Sequence, residues 1–214
     1  MRMIWTIAVV TVLAGVGIFA WMRATASVET PDYNVERADG AVELRRYPGM
    51  VLASIRREGD RSRAVGGAFR PLADYIFAKS RGGDKIAMTA PVVQEPEKIA
   101  MTAPVVQQSG ADDAWTVSFI MPSGRSLADL PDPAGDVTLR EVPERRVAAL
   151  RFSGRWTDAN FETRAADLMA WVEAQDLTPL GPPEYAYYND PFTPWFLRRN
   201  EVLVEVGEQG RSRP

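Results

Sequence analysis

Two stretches of the chain bring aromatic rings and guanidinium groups together. The first holds Arg61, Arg63, Phe69, Arg70 and Tyr75; the second holds Tyr187, Tyr188, Phe192, Trp195 and Phe196, followed by Arg198 and Arg199. Such rings can cover an apolar ligand, and the guanidinium groups can pair with anionic groups at its rim. Each cluster also has a plainer reading. Aromatic residues at strand spacing are usually core or a structural corner. The run Arg198, Arg199, Asn200, Glu201 can cap the last strand through side-chain hydrogen bonds, and Arg61 and Arg63 flank a helix start where they can simply be solvated.

Composition excludes most other chemistry. The 214 residues include no Cys and no His. That removes disulfides, thiolate nucleophiles, Cys- or imidazole-ligated metals and the Ser-His-Asp arrangement. Paired acids occur, Asp112 with Asp113 and Asp129 with Asp132, but in Pro- and Gly-containing stretches that read as solvated turns rather than a tuned acid–base pair. No enzymatic role is expected. A net charge of −3 argues against a nucleic-acid partner, which would need a basic face for phosphates. No phosphate-cradling Gly-rich loop is present.

Residues 85–94, KIAMTAPVVQ, recur letter for letter at 98–107, with only Glu95, Pro96 and Glu97 between them. A second distinctive group reads Tyr187, Tyr188, Asn189, Asp190, Pro191, then Pro194, then Arg198, Arg199, Asn200, Glu201, Val202. The two motifs, in this order, resemble the SOUL haem-binding protein family over residues 33–206. The resemblance implies a distorted antiparallel β-barrel and non-enzymatic binding of haem or a related porphyrin. It places an apolar cleft along the first helix, with basic side chains toward the propionates. Phe69 falls where the relatives carry an apolar helix residue, although around it this chain reads Gly66, Gly67, Arg70 and Pro71 and the relatives' basic positions do not transfer directly. The cofactor-binding candidates are Arg63, Phe69, Arg70, Tyr75, Phe192, Trp195 and Arg198. Some relatives use an axial His; here haem would be held by packing and charge, or by Tyr or Met ligation. Met88 and Met101 are the thioether candidates, set against the plainer reading of a strand Met as core filler. The competing function is a membrane-surface module that recognises a protein or a small regulatory molecule and binds no haem.

The elements that must position these residues repeat. The segment VELRRYP beginning at Val42 matches VTLREVP beginning at Val137, and each is followed by a second strand, ending at Gly59 and at Gly154. An amphipathic helix follows each: Val65, Ala68, Phe69, Leu72 and Ile76 share a face in the first, and Phe161, Ala165, Leu168 and Val172 in the second. Further strands are read at 115–121, 185–189 and 202–206. Two such β-β-α-β units cannot bury their sheet faces alone. Packed together they predict an α+β fold, a closed or nearly closed antiparallel barrel with two flanking helices. Gly66, Gly67 and Pro71 predict a kink or a late start in the first helix, with the glycines explained by close packing on the sheet or, as the alternative, by a ligand. Glu95, Pro96 and Glu97 are expected to form the turn of a hairpin between the two decapeptides, with Pro91 and Pro104 placing these strands at an edge or a bulge.

Residues 4–22 carry no charge and are rich in Val, Ile, Ala and Leu, with Trp5 and Trp21 near the ends. As a helix this run is about 28 Å long, close to the hydrocarbon thickness of a bilayer. Residues 1–23 therefore read as a transmembrane anchor, 24–32 as a linker and 207–214 as a disordered tail. The domain is expected outside the cytoplasm, periplasmic if the chain is bacterial. The alternative is a signal peptide cleaved near Ala26, where Ala24, Thr25 and Ala26 have the small-residue form of a cleavage site.

Overall fold

The computed structural model of the chain describes residues 28–80, 83–96 and 114–208. The expected anchor, the second decapeptide with Met101, and the tail from 209 onward lie outside the described residues. Among the described residues no helix is long and apolar enough to cross a membrane.

The first half contributes β1 (Asn34–Asp39), β2 (Val42–Tyr47), β3 (Met50–Glu58), α1 (Arg61–Ile76), β4 (Val92–Pro96) and β5 (Ala114–Ile120). The second contributes β6 (Thr138–Val142), β7 (Arg145–Phe152), α2 (Asp158–Ala174), β8 (Leu177–Pro179), β9 (Glu184–Tyr187) and β10 (Asn200–Glu208). The ten strands form one sheet in the order β1-β2-β7-β10-β9-β4-β5-β3-β6, with β8 pairing β10 off this path. Read outward from the central β4–β9 ladder, the two halves give the same series. β5, β3 and β6 lie on one side; β10, β7 and β2 lie on the other. In each half the first strand of the repeated unit, β2 or β6, has crossed to pair with the second strand of the other half's unit, β2 with β7 and β6 with β3. The two repeats are thus interlocked, and neither sheet half is complete without the other.

The sheet does not close into the expected barrel. The outer side of β2 is taken by β1, a strand the periodicity did not reveal, so β2 and β6 have no ladder between them. β1 is exposed along its whole length and reads NVERAD. A charged edge strand of this kind discourages pairing with another chain. Two further expectations change. Glu95 and Pro96 are not a turn; they extend β4, opposite Thr116 and Trp115 of β5. Nor is β4 an edge, since it pairs β5 on one side and β9 on the other. Pro91 stands just before the strand, where its missing N–H is not asked for by the ladder. The tail also gives up its first two residues, because Gly207 and Glu208 pair with Thr178 and Leu177 of β8.

Both helices lie on one face of the sheet. Beneath α1 the core gathers Ile55, Ala68, Leu72, Tyr75 and Val117; beneath α2 it gathers Leu150, Phe161, Leu168 and Val204. Each fully buried large side chain contributes roughly 1.5–3 kcal/mol by leaving water. α1 begins where Asp60 accepts the Arg63 N–H at 2.8 Å, and it runs without a break through Pro71 to Ile76. Proline removes the donor that would serve the carbonyl four residues back, that of Gly67. Arg57 from β3 supplies a substitute, its Nε donating to the Gly67 carbonyl at 3.3 Å.

The opposite face of the sheet carries a buried ion-pair network. Arg45 makes two hydrogen bonds to Glu201, at 2.7 and 3.1 Å, and the Tyr188 hydroxyl and Arg199 donate to the same carboxylate at 2.7 and 2.8 Å. Burial pushes the Glu201 carboxyl up, but the hydrogen bonds and charge of Arg45, with Arg199 and Tyr188, outweigh it and hold it below its ordinary value. Glu95, also on this face, goes the other way. Burial and the neighbouring Glu184 raise it despite its 2.7 Å contact with Arg140.

Candidate functional site

The outward-facing flank of α1 presents three of the expected ligand residues to solvent. Phe69 is 42 % exposed, with its ring edge-on to Phe119 at 5.4 Å. Arg63 and Arg70 project into solvent, and their nearest acids, Asp60 and Asp74, are 3.7 and 3.8 Å away. Between them lie Gly66 and Gly67, both exposed. The close-packing explanation for these glycines does not hold. A side chain at Gly66 would meet nothing within 4 Å, and one at Gly67 only the Arg57 side chain at 3.6 Å. The pair therefore leaves helix backbone open at Gly66, with the Arg57 side chain beside Gly67, between two cations and beside an exposed ring. Val65, half-buried on the same flank as Phe69, packs against both core clusters together with Val92. α1 thus faces the middle of the sheet on this side.

Tyr75 does not belong to this surface. Six residues beyond Phe69, it lies about a third of a turn away on the helix. It is fully buried, its hydroxyl donating to the Pro131 carbonyl at 2.8 Å. Arg61 is likewise committed to structure. Its guanidinium reaches the Tyr187 hydroxyl, Asp158 at 2.6 Å and the Trp156 carbonyl at 3.0 Å, and stacks 4.7 Å from the Phe161 ring. This bolts the start of α1 to the start of α2. The Gln94 side chain completes the junction, donating to the Arg61 carbonyl and accepting from Tyr187, whose hydroxyl burial pushes up to about 12. Met88 is half-buried against the core cluster beneath α1.

The second motif divides into two roles. Asn189, Arg199, Asn200 and Glu201 are structural. Asn189 accepts the Arg199 N–H at 2.6 Å, Asn200 joins Trp156 to the Gly154 carbonyl, and Glu201 is the centre of the buried network. Phe192 and Trp195 are instead 89 % and 50 % exposed, in a loop whose Trp195 carbonyl accepts from Gly154. Arg198 stacks 4.0 Å from the Trp156 ring and donates to the carbonyls of Thr193 and Pro191. The expected ligand residues therefore fall on two elements. Arg63, Phe69 and Arg70 share α1, while Phe192, Trp195 and Arg198 lie on the loop before β10.

Two adjoining hollows at the end of the sheet are chemically different. One of about 420 Å³ is lined by Gly49, Met50, Val51, Arg125, Ser126, Glu141, Val142 and Pro143; its neighbour of about 150 Å³ reaches Glu29, Thr89 and Met121. Neither has an aromatic wall.

The SOUL heme-binding protein description matches residues 28–205, from the first described residue almost to the end of β10. The chain belongs to the SOUL family. Curated proteins give no match. Among solved structures, this SOUL chain is similar to the EcmrR C-terminal domain, with 14 % identity, TM-score 0.61, and 83 % of this chain and 99 % of that one covered. It is also similar to EcmrR in a complex with DNA, at 13 % identity and TM-score 0.57 over 78 % of this chain and 57 % of that one. A hydrolase from Listeria innocua gives 14 % identity and TM-score 0.53 over 80 % and 94 %. At these identities the likeness is one of fold. Within the SOUL frame, Arg57 is what the residue patterns missed, and for the glycine pair they did not separate packing from ligand approach. A Gly-Gly pair four residues before a helix proline was the available signal, but its exposure was not readable.

Proposed function

We propose that the domain binds haem or a related tetrapyrrole on the outward-facing flank of α1, without an axial His and without catalysing a reaction on it. The observation that carries this reading is the bare backbone at Gly66 and Gly67 lying between Arg63 and Arg70 and next to the half-exposed Phe69. A flat macrocycle needs a surface it can approach closely, an apolar ring to stack on and cations for its carboxylates. These residues fit those three needs. Phe69 and Val65 supply apolar contact, Arg63 and Arg70 supply charge, and the missing side chains at 66 and 67 admit the ring. Iron, when bound, would add redox and ligand chemistry of its own. Family membership supports the tetrapyrrole, and the net charge of −3 supports the absence of a nucleic-acid partner. Residues 4–22 would tether the domain at a membrane, with the domain outside the cytoplasm.

The test is a titration of the full chain in lipid nanodiscs with hemin and separately with metal-free protoporphyrin, followed by Soret absorbance and Trp quenching. Saturable one-to-one binding of both is expected, because packing and charge do not require iron. Binding of hemin alone would shift the reading to direct ligation by Tyr or Met. Saturation by neither would remove the tetrapyrrole reading and leave an interaction module.

A further inference from the structure

The loop between β9 and β10 shows four large apolar side chains to solvent. Phe192 is 89 % exposed, Phe196 57 %, Leu197 56 % and Trp195 50 %. The loop is built to hold them there. Asp190 accepts the N–H groups of Phe192 and Thr193 at 2.8 and 3.0 Å. Arg198 donates to the carbonyls of Thr193 and Pro191, both at 2.8 Å, and the Trp195 carbonyl accepts from Gly154 at 3.0 Å. Contiguous exposed apolar side chains on a preorganised loop are the mark of a surface with an occupant. Arg155 lies beside the patch, 6.0 Å from the Trp195 ring.

The position of the loop says what that occupant is. The loop leaves the sheet after Tyr187, which is paired with Val92 at the start of β4. Three residues before Val92, Thr89 bridges Glu29, the second described residue of the chain. The polypeptide coming from the N-terminal run therefore reaches the domain at the end of the sheet from which the aromatic loop departs. Only residues 23–27 separate that run from Val28, a reach of about 20 Å when extended. A domain on so short a tether keeps this end within reach of the bilayer. Trp and Phe beside Arg is the composition favoured at the headgroup boundary.

We propose that Phe192, Trp195, Phe196 and Leu197 form a membrane-contacting foot that inserts into the interfacial layer of the same bilayer that residues 4–22 cross, with Arg155 toward lipid phosphates. This rests on the anchor reading of residues 4–22 and is independent of tetrapyrrole binding. It assigns the loop to lipid rather than to the cofactor.

The chain has no Cys, so one introduced thiol is a unique label site. The full-length Phe192→Cys variant, carrying a nitrobenzoxadiazole probe, is reconstituted into phosphatidylcholine–phosphatidylglycerol vesicles. It is compared with Thr178→Cys, an exposed position in β8 at the opposite end of β10. Blue-shifted emission and quenching by spin-labelled lipid are expected at 192 and not at 178. Adding Trp195→Ser and Phe196→Ser should return the probe at 192 to its aqueous emission, while the protein stays with the vesicles and its hemin titration is unchanged. Equal aqueous emission at both sites overturns the proposal, as does a probe unmoved by the two serines. Release of the chain from vesicles by an alkaline wash would remove the anchor and the foot together.

Discussion

The two helices of the duplicated domain agree on the side that faces the sheet and disagree on the side that faces solvent. Leu72 and Ile76 of α1 correspond to Leu168 and Val172 of α2, and all four are buried. At the same spacing, Arg63, Gly66, Gly67 and Arg70 of α1 correspond to Ala159, Glu162, Thr163 and Ala166 of α2. Packing constrains the inner faces, so the repeats kept them alike. Nothing in the core asks for a bare, basic strip on α1, and glycine at an exposed helix position costs about 1 kcal/mol relative to alanine. A destabilising feature confined to one repeat points to binding rather than folding. The helix-free face shows a second asymmetry. The last strand of the second half carries Glu201, bound to Arg45, whereas the last strand of the first half carries Ser118, bound to Ser54 at 2.8 Å.

That second asymmetry predicts the largest effect. Glu201→Ala leaves the buried Arg45 with only Glu43 and the Tyr47 hydroxyl as side-chain partners and should cost about 3 kcal/mol. Ser118→Ala, breaking a neutral pair, should cost about 1 kcal/mol. Urea denaturation of the two variants measures the contrast, and similar losses would show that the faces are energetically equivalent. The same carboxylate sets the acid limit. Its folded pKa lies below the ordinary 4.5, so its stabilisation is complete above pH 4.5 and is lost as pH falls through the folded value. Denaturation midpoints should therefore fall below pH 4.5 in the parent chain and much less steeply in Glu201→Ala.

The helix comparison is tested by exchanging residues. Gly66→Glu, which gives α1 the residue of α2, has open space for the new side chain. It should raise stability by about 0.5–1 kcal/mol and weaken hemin binding at least tenfold, about 1.4 kcal/mol. The reverse change, Glu162→Gly, should lower stability by a similar amount and leave hemin affinity unaltered. Equal hemin affinities in the two variants would place the ligand elsewhere. A smaller loss, severalfold and shrinking as salt is raised, is expected for Arg63→Glu with Arg70→Glu. It should be the same for hemin and metal-free protoporphyrin, because exposed charges act on carboxylates through screened attraction. The smallest effect concerns Glu95. Its pKa is raised by burial, so ionising it opposes folding as pH climbs above 4.5. Glu95→Gln should gain slightly in urea midpoint at pH 7 and match the parent at pH 4.

Much of this organisation was legible in residue order. The 3.6-residue spacing of Leu72 and Ile76, and of Phe161, Leu168 and Val172, located both helices and their buried faces. The alternation of Trp115, Val117 and Phe119 located β5. β1 escaped because all six residues are exposed and no alternation marks it. β4 was misread as an edge because proline next to a strand looks like an interruption until the partner strands show which N–H groups are needed. Of the candidate site, Phe69 and its two flanking arginines could be named from their types. Tyr75 could not be separated from them by type alone, since tyrosine serves equally in a core and on a ligand surface.

The sequence by itself determined the family, the doubled β-β-α-β plan and the exclusion of imidazole and thiolate chemistry. Those follow from local periodicity, distinctive motifs and the absence of two residue types, none of which depends on distant contacts. The tertiary structure alone decided that the repeats interlock by exchanging their first strands and that the sheet stays open. It also decided that Arg61, Arg199 and Glu201 are spent on structure while Gly66, Gly67 and the Phe192 loop face solvent. Those outcomes rest on which long-range partner claims each hydrogen-bonding edge and each charge, a competition that neighbouring residues in the chain do not record.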